Sequence, residues 1–427
     1  MSPIVRRRTG LALTAVLIVA TPVLVGANAV AAVGTQERRV DLATPVFTNP
    51  TRITNPLFPI SSQRRVVQLG ASGLPARAEV TLLPRTKTVV LKGKNVTALV
   101  SQYVAYDADR VVEVAYDFFA QADDGAVWYL GEDVSNYKDG KVINHDGTWL
   151  AGRDGPPGMI MPADPRVGDV YYPENIPGLV FEQVTVQRIG QRVHGPRGPV
   201  PGAIAIQEKL QNGDLEQKVF APGYGEFLAV TGDEAEAVAV AVPADAVPGR
   251  VPAELVGLAR AATRAFDAAT AGLWAKAANE TDRATAAWET YSRRGVPPAL
   301  HAPMSEALAG LAVTVDAQAT ALARSSALDV AQAGLDLQLR HRPTVQVDLA
   351  LLGLRAQQVL IDVDAKDKAF VLGDYAVLQT LRDRIVPFVN QAKGQRLTDQ
   401  INAVRAAGLN SAAASAAVRA LLRTVST

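Results

Sequence analysis

The chain has no cysteine. That excludes disulfides and thiolate metal sites, and it excludes a lipid anchor that needs a cysteine at its cleavage point. Four histidines leave little room for imidazole acid–base chemistry. Neither sign of charge prevails, with 43 Lys and Arg against 42 Asp and Glu. That balance makes no electrostatic case for a nucleic acid, which wants a basic face. The enzyme signatures G-x-S-x-G, H-E-x-x-H and G-x-x-x-x-G-K are all missing. Ser135-Asn136-Tyr137-Lys138 matches S-x-x-K, but it lies in a turn-rich β segment and no K-T-G accompanies it. These absences point to a protein that is not an enzyme.

What is present begins with an export signal. Arg6, Arg7 and Arg8 precede an uncharged run of Leu, Val and Ala from Leu11 to about Val25. Small residues follow, offering cleavage after Ala27-Asn28-Ala29 or Ala29-Val30-Ala31. A positive start, an apolar core and small residues at the cleavage site are the order of a secretory signal peptide, here 1–31. The run is shorter than the ~20 residues of a spanning helix, and no second long run occurs. The mature protein is expected in the medium or cell envelope, with no stable membrane insertion. Removing the three arginines turns the net charge of +1 into about −2.

Two periodicities divide the rest. Over 41–233 the pattern is that of strands. In Val111–Gln121, Val112, Val114, Tyr116, Phe118 and Ala120 fall on one face and Glu113, Asp117 and Gln121 on the other. Asp-Gly and Asn-Gly pairs at Asp124-Gly125, Asp139-Gly140, Asp146-Gly147 and Asn212-Gly213 mark hairpins. The pattern predicts an antiparallel β meander, curled into an open barrel or a sandwich. Residues 234–252, with Pro243, Pro248 and Pro252, are expected as a linker. From 253 to 427 apolar residues recur every three or four, as in Leu255, Leu258, Ala262, Phe266, Ala269 and Leu273. Later helices are expected at about 282–294, 304–325, 327–341, 347–365, 369–392, 396–407 and 411–424, joined by short connections into an up-down bundle. The fold class is thus α+β, an N-terminal β domain followed by an all-α bundle.

The segment Asp123–Glu174 is the richest in candidate chemistry, with ten acidic residues against four basic ones. Carboxylates on Gly-rich turns can wrap calcium through oxygen ligands, and Asp123, Asp124, Glu132, Asp133, Asp146 and Asp154 are the candidates. The spacing of a calcium loop is absent, and Asp and Gly are also ordinary turn residues, so no cofactor is required. Trp128, Tyr129, Trp149 and Tyr171 would either line a cleft for a glycan, small ligand or envelope partner, or fill the core. Glu226, after Pro222-Gly223-Tyr224-Gly225, is a candidate ligand-binding acid or a solvent-facing strand residue. Glu132, Asp133 and Glu226 converging in a cleft would instead suit a cell-wall or polysaccharide hydrolase.

The opening Asn49-Pro50 with Ile53–Ile60, the "GED" of Gly131–Asp133, "GTWLAG" with "PGMIMPADPRVGD" (Gly147–Asp169) and "APGYGE" (Ala221–Glu226) resemble a recurrent β domain of exported, actinobacterial-type proteins that carry a helical extension. The resemblance implies export and the two-part architecture. It implies no catalytic residue.

Overall fold

The computed structural model describes residues 37–70, 76–232 and 234–426. The signal peptide expected at 1–31 lies outside them. Among the described residues fifteen strands come first: β1 (Arg38–Arg39), β2 (Arg65–Gly70), β3 (Ala76–Leu91), β4 (Lys94–Asp107), β5 (Arg110–Gln121), β6 (Val127–Lys138), β7 (Lys141–Asn144), β8 (Trp149–Leu150), β9 (Gly158–Met161), β10 (Asp169–Ile176), β11 (Val180–Gly195), β12 (Gly198–Leu210), β13 (Leu215–Ala221), β14 (Gly225–Thr231) and β15 (Glu234–Val242).

They form two antiparallel meanders, β2 to β7 and β10 to β15, in one sheet. The join is the pairing of β15 with β2, where Val242 faces Arg65 and Ala237 faces Leu69. The first half of the expected linker is therefore a strand. Its alternation of Ala and Val supplied the strand pattern, and its prolines only end it. Short β1 runs parallel to β10, and β8 and β9 both pair with β6. The sheet rolls until β9 lies against β10. No ladder closes this seam, yet the backbones touch: a Cβ at Gly158 would stand 1.8 Å from the Pro173 carbonyl oxygen.

Eight α-helices follow among the described residues: α1 (Ala253–Thr270), α2 (Trp274–Ser292), α3 (Pro298–Asp316), α4 (Thr320–Gln338), α5 (Thr344–Asp364), α6 (Lys368–Ile385), α7 (Gln391–Ala407) and α8 (Ser411–Ser426). They make two up-down four-helix units, α1 returning to α4 and α5 to α8, with α4 against α5. Three hairpins turn alike. Gly272, Gln318 and Lys366 all take positive φ after an alanine cap. The next residue's N–H reaches back five positions, to Ala268, Thr314 and Asp362, which is the Schellman arrangement. This turn splits the helix expected at 304–325. The helix expected at 369–392 stops at Ile385, because Pro387 has no N–H to continue the α ladder; a 3-10 turn, Val386–Phe388, takes over.

The two domains share one core. Val67, Val104, Tyr106, Val114, Val240 and Val242 of the sheet's outer face pack with Leu255, Leu258, Leu337 and Leu378 of the helices. Charges are buried with them. Arg77 makes a two-pronged contact with Asp336 at 2.8 Å and a second bond to Glu79. Arg65 reaches Asp348 at 2.6 Å and Arg384 reaches Glu79 at 2.6 Å. Arg110 makes two bonds to Asp362. Spacing along one helix suggests Asp336 with Arg340, but Arg340 turns to the Asp245 carbonyl instead. The helices therefore carry the countercharges of the sheet.

Candidate functional site

Because the outer face of β2 to β5 is covered by helices, the alternate residues of those strands point into the roll of the sheet. On β5, Val114 and Tyr116 meet the helical side, whereas Glu113, Ala115, Asp117 and Phe119 face inward. The inward face encloses a cavity of about 140 Å³, lined by every strand from β2 to β14 except β7 and β8.

Its wall is acidic. Glu113, Asp117, Glu132, Glu182, Glu208 and Glu226 all line it. Lys218 is the only basic side chain on the wall among the described residues, and it is held by Glu208 at 2.5 Å, Glu216 at 3.1 Å and Glu226 at 3.5 Å. An aromatic strip runs beside the acids. Phe58 meets Phe119 edge-on with ring centres 4.8 Å apart, and Phe119 stacks on Tyr129 at 4.9 Å. The fully buried Ser101 also lines the cavity, and its hydroxyl has no hydrogen-bond partner.

Two irregularities aim the acids. Asp117 pairs with Glu132 and Phe119 with Tyr129, so β6 carries one extra residue there. This bulge, at Leu130-Gly131, lets Glu132 and Tyr129 share the inner side although they are three apart. The glycine is required: its φ is +120°, and a Cβ would stand 2.3 Å from the Trp149 carbonyl oxygen. A second bulge, at Phe227, sets Glu226 opposite Phe220. Glu226 is therefore a half-buried cavity residue.

Burial and crowding shift these carboxyls upward. Desolvation pushes Asp117 up to about 7, with Glu113 and Glu174 adding to it while the Tyr129 hydroxyl, 3.1 Å away, opposes. Desolvation, with Asp117 and Glu113 nearby, pushes Glu132 up to about 8. Glu208 is raised to about 8, by burial first and then by Glu182. Behind Glu132, Glu174 accepts the Trp149 indole N–H at 2.8 Å and is raised by burial, then by Glu182.

The sequence candidates divide. Tyr129, Glu132 and Glu226 meet at the cavity. Trp128, Trp149 and Tyr171 do not line it; they are packed in the β core, each 3% exposed or less. The four rings thus form no common cleft. Asp133 follows Glu132 on the strand and so points outward, exposed. Glu132, Asp133 and Glu226 accordingly do not converge. Asp123 accepts from the Thr48 N–H and hydroxyl, Asp124 from the Ala126 N–H, and Asp154 from the Leu150 N–H and Arg153. Asp146 is an exposed turn residue. Among the described residues no group of three His, Asp or Glu is placed to hold a metal ion.

Glu113, Asp117, Glu182, Glu208 and Lys218 were not candidates from sequence. Their signal was charge alternating with apolar residues on one face, as in Ile204, Ile206 and Glu208. Such a pattern does not say which face turns inward.

No protein-family model, curated protein or solved structure matches this chain.

Proposed function

We propose that the chain is an exported, non-catalytic binding protein that takes a small ligand into the interior of its β domain, while its helical domain braces the barrel wall. The observation that supports this is the cavity. Side chains in a protein interior normally fill the space they enclose. Here strands from the whole roll leave about 140 Å³ unfilled and surround it with charged groups and an unsatisfied hydroxyl. Tyr103, Glu113, Asp117 and Glu226, which line the space, are only partly buried. Among the described residues no helix is long and apolar enough to cross a membrane.

A thermal-shift screen of the full chain against small metabolites of every charge tests the reading, since a ligand bound only by the folded state raises the melting midpoint. At least one compound should raise it, and the rise should vanish in Ser101→Leu, which fills the cavity. A library without effect, or a rise that survives the filling, removes the reading. Export is tested separately. The mature chain should begin at Val30 or Ala32, and an intact Met1 on chain recovered from the medium would refute cleavage.

A further inference from the structure

We propose that the cavity holds a small organic cation, an ammonium or guanidinium group carried on a compact apolar body. The inference rests on the ligand-binding reading above and names the ligand class.

Charge is the first argument. Six carboxylates and one amine line the space, and the amine already has three carboxylates around it. An anion would meet acids on every side and a cation that is already neutralised. A positive ligand would meet Glu113, Asp117 and Glu132 and relieve their mutual repulsion. The upward displacement of Asp117 and Glu132 is the mark of that missing countercharge, added to burial.

Dispersal of the acids separates an organic cation from a metal ion. A hard divalent ion needs several oxygens converging on one point at 2.3–2.6 Å, and no three acidic or histidine side chains converge in that way among the described residues. An ammonium or guanidinium spreads its N–H donors outward and suits acids arrayed around a wall. Aromatic faces complete the match. Phe58, Phe119 and Tyr129 form a continuous strip beside the acids, and ring faces attract cations at close range. The Ser101 hydroxyl, fully buried and without a partner, is aimed at the same space and is left for the ligand to satisfy. Size sets the upper limit. A void of about 150 Å³ admits a molecule of benzene size, so the ligand is one amine on a few carbons rather than a peptide or a sugar chain.

The experiment is calorimetric titration of the full chain at pH 8 with choline and benzylamine. The neutral isosteres 3,3-dimethylbutanol and benzyl alcohol, together with benzoate and calcium chloride, serve as comparisons. At least one amine should bind with one-to-one saturation, at least tenfold more tightly than its neutral isostere. Glu113→Gln and Asp117→Asn, which keep side-chain shape, should each weaken it tenfold or more without lowering the melting midpoint of the free protein. Ser101→Leu should abolish it. If a neutral compound or benzoate binds as well as the amines and Ser101→Leu blocks it, the cation class is wrong while a small-ligand site remains. If calcium binds and the amines do not, or if amine binding ignores all three variants, the proposal fails. If no compound binds, the proposal fails, and the screen above decides whether the broader reading stands.

Discussion

Asp117 and Glu132 stand directly opposite each other on neighbouring strands, both turned into the β-domain cavity. Like charges in that relation are destabilising. They persist because burial keeps each carboxyl protonated well above its ordinary range. The acids are therefore sensitive to pH and to any positive group that enters.

A pH profile follows. A carboxyl whose folded-state value is raised binds its proton more tightly folded than unfolded. Its stabilisation is complete below the unfolded value near 4 and is lost as pH rises through the folded value. With Asp117 and Glu236 raised to about 7 and Glu132 to about 8, the melting midpoint of the free protein should fall between about pH 5 and pH 8. Each extra proton held by the folded state contributes a slope of about 1.4 kcal/mol per pH unit. Glu132→Gln removes one such proton and should flatten the profile. Calorimetric midpoints across that range check it, and a profile that rises, or is unchanged by the substitution, would contradict it.

The buried Arg77–Asp336 contact makes a second prediction. Arg77 is enclosed at the domain interface with Asp336 and Glu79 as its partners. Asp336→Ala leaves the guanidinium short of charge where water cannot reach, and the loss should be about 3–5 kcal/mol. Replacing both partners by apolar residues, Arg77→Met with Asp336→Leu, should cost less than the single change. Denaturant titration of the three proteins measures this. A single substitution costing under about 1 kcal/mol would show that the contact does not hold the domains.

Trp149 offers a third. Its indole N–H donates to Glu174 at 2.8 Å inside the core, and its ring meets Tyr129 edge-on at 5.4 Å. Trp149→Phe keeps most of the apolar volume and removes the donor. The loss should be about 1–3 kcal/mol, the cost of leaving a buried acceptor unmet. Glu174→Leu in the same background removes the stranded acceptor and should restore part of it, again by denaturant titration.

Local rules made much of the architecture legible. Period-two alternation and Asp-Gly turns placed the β domain, and period-three-four apolar spacing placed eight helices. Errors gathered where short-range signals compete. The Ala and Val strand at Glu234–Val242 runs straight into Pro243, Pro248 and Pro252 and looked like a linker. The hairpin turn at Gln318 uses no glycine, so nothing broke the helical pattern there. The site was half legible. Tyr129, Glu132 and Glu226 came from composition and turns, whereas Glu182, Glu208 and Lys218 did not.

The sequence by itself determined the two periods, the lack of any cysteine or enzyme signature, and the presence of two opposed faces on strands such as β5. Alternation fixes that Glu113 and Asp117 share a face, since successive residues of a strand must point apart. It does not fix which face is interior. That was decided by tertiary structure: helices carrying Asp336, Asp348 and Asp362 cover the outer face and supply partners for Arg77, Arg65 and Arg110. With the apolar face buried against helices, the acidic face had only the inside of the roll to occupy.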